Sequence, residues 1–269
     1  MIVVLILGII AYAGAGIMYA DERVATADRT LNSVVSHENT LDATFTDINT
    51  QLGTLSGSSF KPQDAVALVD KSVAGSQLAA TTIDADDASL SAALTDLDHN
   101  RWLTMIGRGN IEREAARIEH ARTALAAART VAADKVLEGK FWHSLYSGLG
   151  DLALLNTQSS SGNLAAAKSA LATMKTDIDQ AAAQSGAPPL PPELGSLMKD
   201  LQTFVVDYGK QLDAQIAGDD TGVATYQASV QADLVRVGQY DVEAIGKKID
   251  AFYKPLIDRF NSEMASATA

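Results

Sequence analysis

The residues best suited to acid–base or metal chemistry in this chain are its four histidines and the carboxylates near them. Asp96 stands three residues before His99, which is half of the carboxylate–histidine pattern that holds iron in di-iron helical bundles. A di-iron site needs a second such pair and two further inward-facing glutamates, and the sequence shows neither. We therefore interpret Asp96 and His99 as a helix end. No two histidines have the spacing of a helical zinc site, and the other three are His37, His120 and His143.

The remaining motifs do not indicate catalysis. The acidic group Asp84, Asp86 and Asp87 lacks the glycine and the terminal glutamate of a calcium loop, and we interpret it as a solvated face. The chain has no cysteine, which excludes thiol catalysis, iron–sulfur clusters and cysteine-type zinc sites. It also has no Gly-x-Ser-x-Gly motif and no phosphate-cradling glycine loop. We expect no catalytic residue, no bound metal and no cofactor, and a protein that is not an enzyme.

The best candidate for a binding surface is a set of arginines at multiples of seven residues. At that spacing they share one face of a helix, and we call them the arginine stripe: Arg101, Arg108, Arg122 and Arg129. The stripe could dock an acidic partner or a phosphate-bearing ligand, or it could pair with acidic helices of the same bundle. Trp102 and Trp142 are a second candidate surface. They could line an aromatic pocket, or they could simply pack in the core.

Charge restricts the class of partner. The chain carries a formal net charge of −12, from 33 acidic and 21 basic residues. Such a balance opposes non-specific binding to nucleic acid and to anionic lipid. The expected partner is therefore another protein or a second copy of the chain. Binding to nucleic acid is not expected.

The elements that must position these side chains are helices. Apolar residues from Leu41 to Leu55 alternate in steps of four and three, which is the pattern of a helix packed nearly parallel to its neighbours. The same pattern recurs along the chain, and no strand-like alternation is sustained. We predict an all-α fold: an elongated antiparallel bundle of six or seven helices.

Breaks in the pattern predict where the helices end. One helix is expected over residues 63–98 and the next over 101–138, weakened by the glycines of segment 107–110. A glycine at position 139 then divides the chain, and a short helix is expected over 141–155. Further helices begin near residues 164 and 192, and the last one is read over 226–260. Pro255 is expected to kink this last helix or to end it.

The N-terminal segment predicts an attachment to a membrane. Residues 1–20 contain no charged side chain, and acidic residues follow at once. As a helix, twenty residues span about 30 Å, the thickness of a bilayer's hydrocarbon core. A cleaved signal peptide, a buried core helix and a pilin-like stalk are alternatives. A signal peptide would begin with a basic residue, and this segment has none. A buried core helix is rarely apolar on every face, as this segment is. A pilin-like stalk would contain an internal acid, which is absent here.

These observations lead to an expected organisation and function. The chain is divided into an anchor at 1–20, a long-helix bundle at 21–139 and a second helical bundle at 140–269. No proline or glycine lies between residues 17 and 51, so the anchor is expected to continue into the first soluble helix. The expected protein is single-pass, with its soluble part extracytoplasmic, and acts through protein interaction or assembly. The alternative is a ligand-binding or sensory module that works with a separate membrane subunit.

Overall fold

The computed structural model describes residues 17–40, 61–99 and 108–269, and the regular secondary structure in these ranges is entirely α-helical. Helix α1 is described over residues 17–40. The helices that follow are α2 Pro62–Asp98, α3 Arg108–Ser160, α4 Leu164–Gln184, α5 Pro192–Ala217, α6 Asp220–Val237 and α7 Val242–Thr268. Within the described residues the protein therefore has seven helices packed as a helical bundle. The predicted all-α fold class is confirmed.

Local sequence explains several helix ends. Pro62 and Pro192 each occupy the first position of a helix, where proline's missing N–H costs no hydrogen bond. Gly218 ends α5 in the left-handed conformation, with φ of 69°, which glycine adopts without steric strain. Asp219 then caps α6 by accepting a hydrogen bond from the backbone N–H of Gly222 at 3.0 Å.

The predicted helix break at Gly139 is wrong, because α3 is one continuous helix of 53 residues. A Cβ added at Gly139 would overlap Cγ2 of Val73 on α2. A Cβ added at Gly148 would lie 2.9 Å from Cδ1 of Ile178 on α4. Both glycines therefore permit close helix–helix approach. Of the segment 107–110, residues 108–110 form the first turn of α3, and Gly107 lies outside the described residues.

The predicted last helix is two helices. The chain turns between Val237 and Val242, and the side chain of Asp241 accepts a hydrogen bond from the N–H of Ala244 at 2.9 Å. This contact gives α7 its own N-terminal cap. Pro255 does not end α7, which continues to Thr268.

The predicted membrane anchor falls mainly on residues 1–16, which lie outside the described residues. Residues 17–20 belong to α1. None of the helices in the described ranges combines the length and the apolar character needed to cross a bilayer. The anchor therefore stays a prediction.

Contacts between Cα atoms divide the chain into two compact units, each built from segments that are distant in sequence. The first unit takes the described residues of Met1–Thr44, Gln77–Ala132 and Lys254–Ala269. The second takes those of Phe45–Ser76 and Ala133–Tyr253. The contiguous domains expected at 21–139 and 140–269 group the chain differently and stay a prediction.

The first unit contains α1 and parts of α2, α3 and α7. The buried face of α1, called its seam, packs within this unit. The buried side chains of α1 recur every three or four residues and are Ala20, Arg23, Ala27, Leu31, Val34 and Glu38. This spacing places them on one face of the helix. Two of the six are charged, so the core of the first unit contains polar groups that need partners.

Candidate functional site

Two members of the arginine stripe join α3 to α2 in the first unit. Nε of Arg122 donates to Oδ1 of Asp87 over 2.8 Å, and Arg129 is ion-paired with Asp84. The hydrogen bond that Arg122 donates to Asp87 is the largest of the contributions that raise the pKa of Arg122, so its guanidinium is held charged by a partner within the bundle. This geometry favours the interpretation that the stripe pairs with its own acidic neighbour.

Arg108, a third member of the stripe, pairs within its own helix and not with α2. Nε of Arg108 donates to Oε1 of Glu112 over 2.7 Å, one turn along the same helix, and both side chains are exposed. Such a pair is worth only a few tenths of a kcal/mol, about 0.3–0.5. Arg101 and Trp102 lie outside the described residues.

The interpretation of the acidic group on α2 as a solvated face is wrong for Asp86, whereas the side chain of Asp84 is 63% exposed. Asp86 is 5% exposed, and its carboxylate lies 3.0 Å from Nδ1 of His37 on α1. Asp84 and Asp87 share a face because residues three apart are neighbours on a helix. Their carboxylates therefore reach α3, and the three aspartates join α2 to two different helices.

An open cavity of about 890 Å³ lies between the end of α2 and the start of α3 in the first unit. We call it the α2–α3 cleft. Its walls include apolar, hydroxyl and charged groups: Leu94, Thr95 and Asp98 from α2, and Arg108, Ile111 and Arg122 from α3. The structure thus brings two stripe arginines to one cavity. Both already have carboxylate partners, which weakens the case for an anion site.

Trp142 lies away from this cleft, in the second unit. Its Nε1 donates to Oε1 of Glu138 over 3.3 Å, and its ring stacks on Tyr146 with centroids 5.7 Å apart. Glu138 also accepts hydrogen bonds from Lys135 at 2.8 Å and from the hydroxyl of buried Tyr253 at 3.0 Å. Trp142 therefore belongs to a polar and aromatic cluster around a single carboxylate.

Three histidines each meet a carboxylate on another helix. Besides the His37–Asp86 pair, His120 lies 2.6 Å from Glu263 and His143 lies 2.7 Å from Asp70. Among the described residues no group of three or more histidine, aspartate or glutamate side chains is placed to hold a metal ion. The Asp96–His99 segment has a structural role, since the carbonyl oxygens of both residues accept hydrogen bonds from Arg23.

A further ionic cluster in the first unit connects three helices. Arg117 on α3 donates to Oδ1 of Asp28 on α1 at 3.0 Å and to the carbonyl oxygen of Ala267 on α7 at 2.8 Å. The same guanidinium bonds Glu114 at 2.8 Å, a residue only 3% exposed. A buried carboxylate requires such a partner, so the Arg117 cluster is a structural feature of the bundle.

The surface that the sequence did not identify lies in the second unit, where α6 turns into α7. Leu234, Val235 and Val242 are 47%, 62% and 66% exposed, and they fall within nine residues of one another. We call these three side chains the α6–α7 corner. Single exposed aliphatic residues are ordinary on protein surfaces, whereas several that lie close together in the chain around one turn favour an interaction site.

The α6–α7 corner is held in place by polar contacts to α5. The hydroxyl of Tyr240 donates to Oδ2 of Asp200 over 2.7 Å. Arg236 is paired with both Asp200 and the buried Asp233. The exposed aliphatic side chains are therefore presented by a turn that is fixed on its inner side, which reduces the entropy lost on binding.

The corner escaped the sequence analysis because of a shift of one residue. The spacing of Val230, Leu234 and Val237 predicts that Leu234 faces the core, but Asp233 is the buried residue, at 1% exposure. Val235 indicates the exposed position in the sequence. Val230 and Val237 are seven residues apart and share one face of α6, and Val235 does not lie on that face. Adjacent residues of a helix point in directions about 100° apart, so one buried face cannot take both Leu234 and Val235.

Comparisons with known proteins provide no functional assignment. No protein-family model, curated protein or solved structure matches this chain.

Proposed function

We propose that this chain is a non-enzymatic, membrane-tethered helical-bundle protein that acts by binding a protein, either a separate partner or a second copy of itself. Residues 1–20 provide the tether in this proposal, and the soluble helices lie outside the cytoplasm. The observation that carries it is the α6–α7 corner, where three exposed aliphatic side chains stand on a turn fixed by Tyr240 and Asp200. Apolar side chains that stay exposed on a rigid support are typical of the centre of a protein interface.

The charges around the corner favour a protein rather than a membrane as its occupant. Asp241 and Glu243 lie beside the aliphatic residues, and Glu243 accepts a hydrogen bond from Lys247 at 2.6 Å. An anionic bilayer surface would repel these carboxylates, because membrane-surface binding relies on basic side chains. A partner with an apolar patch and basic residues at its rim fits this surface.

The proposal is tested by comparative co-purification from native membranes. The full chain is isolated with its tag, beside the variants Val235→Asp and Leu78→Asp. Leu78 is 64% exposed and belongs to the first unit, so its substitution is a matched control for a charge placed on an exposed aliphatic position. We expect a partner that is lost with Val235→Asp and retained with Leu78→Asp. Equal recovery with both variants would contradict the proposal.

The α2–α3 cleft favours a second candidate function, the binding of a small ligand for a separate membrane subunit. The cleft has a volume of about 890 Å³ and presents arginines and carboxylates together, which suits a zwitterionic molecule with hydrogen-bonding groups. A thermal-shift screen of free amino acids against the full chain and an Ala115→Trp variant tests this function. A ligand of the cleft raises the Tm of the wild type and leaves the variant unchanged.

A further inference from the structure

Two carboxylates occupy core positions where α1 meets α2 in the first unit. Glu38 follows Leu31 and Val34 in the buried seam of α1 and is 8% exposed. Asp86 lies between Ile83 and Leu90 in the buried seam of α2 and is 5% exposed. Seam positions normally hold apolar residues, so a pair of acids at such positions calls for an explanation.

Glu38 is incompletely satisfied. Its Oε1 is buried and has no hydrogen-bond partner among the residues that the structure describes, and burial without a partner disfavours the ionised form of a carboxyl group far more than the neutral form. Burial and the negative charge of Asp86 raise the pKa of Glu38 to about 7, while His37 acts in the opposite direction. The protonated form of Glu38 is therefore the one that this contact accommodates.

Within the described ranges 17–40, 61–99 and 108–269, no cation is paired with Glu38. On α1, His37 is bonded to Asp86, and Arg29 bonds the carbonyl oxygen of Ala25 and the hydroxyl of Thr26. On α3 three basic groups already have carboxylate partners, in the pairs Arg122–Asp87, Arg129–Asp84 and His120–Glu263. Loss of the proton therefore leaves two like charges at one helix contact.

We propose that the α1–α2 contact at Glu38 and Asp86 is a pH-responsive joint, closed when Glu38 is protonated and loosened when Glu38 is ionised. An open groove of about 450 Å³ runs beside it, lined by Ser33, His37 and Asp86 among others. Asp86 lines this groove and Glu38 does not, so α1 must shift outward before water in the groove can hydrate the ionised Glu38 carboxylate. The joint is local because the other pairs between α2 and α3 are separate from Glu38.

The direction of the effect follows from linkage. A carboxyl group whose folded-state pKa is raised binds more protons in the closed state than in the open state, so stability of the closed contact falls as pH rises from the ordinary glutamate value of 4.5 to about 7. Between pH 6 and pH 8 the local opening equilibrium is expected to increase by roughly tenfold.

The test is amide hydrogen exchange of the full chain in detergent micelles, corrected for intrinsic rates, at pH 6 and pH 8. In the wild type we expect protection of residues 30–40 to fall roughly tenfold across this interval. The variant Glu38→Gln imitates the protonated side chain and should remain protected at both values. Glu22→Gln, which removes an exposed acid from the same helix, should retain the response of the wild type.

A second measurement follows the ionisation of Glu38 directly. Carbon-13 NMR of the labelled glutamate carboxyl groups should show Glu38 titrating near neutrality, with a midpoint that moves to lower pH in Asp86→Asn. Protection of α1 that is independent of pH, an equal response in Glu38→Gln, or a Glu38 midpoint near 4.5 would each overturn the proposal.

Discussion

Arg122 of α3 and Asp87 of α2 are joined by a hydrogen-bonded ion pair of 2.8 Å between Nε and Oδ1. The arginine stripe that drew attention in the sequence is thus directed, at this position, at the acidic group of the adjacent helix. The pair is about one third exposed on each side, so part of its electrostatic energy is screened by water. Its role in the bundle is to connect two helices.

Removal of this pair should have a measurable but modest effect. We expect Arg122→Ala to lower the free energy of unfolding by about 1 kcal/mol, the upper end for partly exposed pairs. Arg108→Ala, which breaks a pair within one exposed helix, should cost about 0.3–0.5 kcal/mol or less. Urea unfolding followed by circular dichroism measures both. If Arg108→Ala lowered the free energy of unfolding more than Arg122→Ala, it would contradict the interpretation that the stripe acts mainly through the Arg122–Asp87 pair.

Gly139 should not tolerate a side chain. Because a Cβ at this position would overlap Cγ2 of Val73, Gly139→Ala should destabilise the protein by about 1–3 kcal/mol. Gly246→Ala is the control, since no atom of the described residues lies within 4 Å of the added Cβ, and it should stabilise α7 by up to about 1 kcal/mol. Thermal unfolding of the two variants should therefore move in opposite directions, and Val73→Ala should rescue Gly139→Ala.

The Arg117 cluster should be sensitive to the loss of one partner. Arg117→Met leaves the buried Glu114 without its cation, and we expect a cost of about 3–5 kcal/mol. The double variant with Glu114→Gln removes the unpaired charge and should recover part of that loss. If the double variant were as unstable as the single one, the packing of the arginine side chain would matter more than its charge.

Tyr253 should make the second unit sensitive to alkali. Burial, and next the charge of Glu138, raise the pKa of Tyr253 far above its ordinary value of 10. The folded state therefore binds more protons than the unfolded state above pH 10, and stability falls as pH rises. Tyr253→Phe should reduce this loss, measured as the difference in Tm between pH 9 and pH 11. Tyr226→Phe, which leaves the Tyr253–Glu138 pair intact, is the control.

Sequence periodicity succeeded where packing depends on residues close together in the chain. The steps of four and three between Ala167, Leu171 and Met174 predict that they share one face of a helix, and all three are buried on α4. It failed at Gly139, because a glycine that ends a helix and a glycine that admits a neighbour look the same in one sequence. The distinction depends on Val73, which is distant along the chain.

The candidate sites show the same limit. The regular spacing of the arginines suggested a shared face, but their partners on α2 could not be identified before the helices were paired. Glu38 and Asp86 occupy core positions that an apolar pattern does not reveal. The α6–α7 corner depends on whether Asp233 or Leu234 faces α5, and the polar contacts of Arg236 decide this in favour of Asp233.

Site-specific photocrosslinking in native membranes tests the proposed protein-binding function most directly. A photoreactive amino acid is placed at Val235 in the full chain and, as the matched control, at Leu78. The account predicts an adduct from position 235, with a mass that identifies a second copy or a separate partner, and predicts that Val242→Asp reduces its yield. No adduct from position 235, or adducts of equal yield from positions 235 and 78, would contradict it.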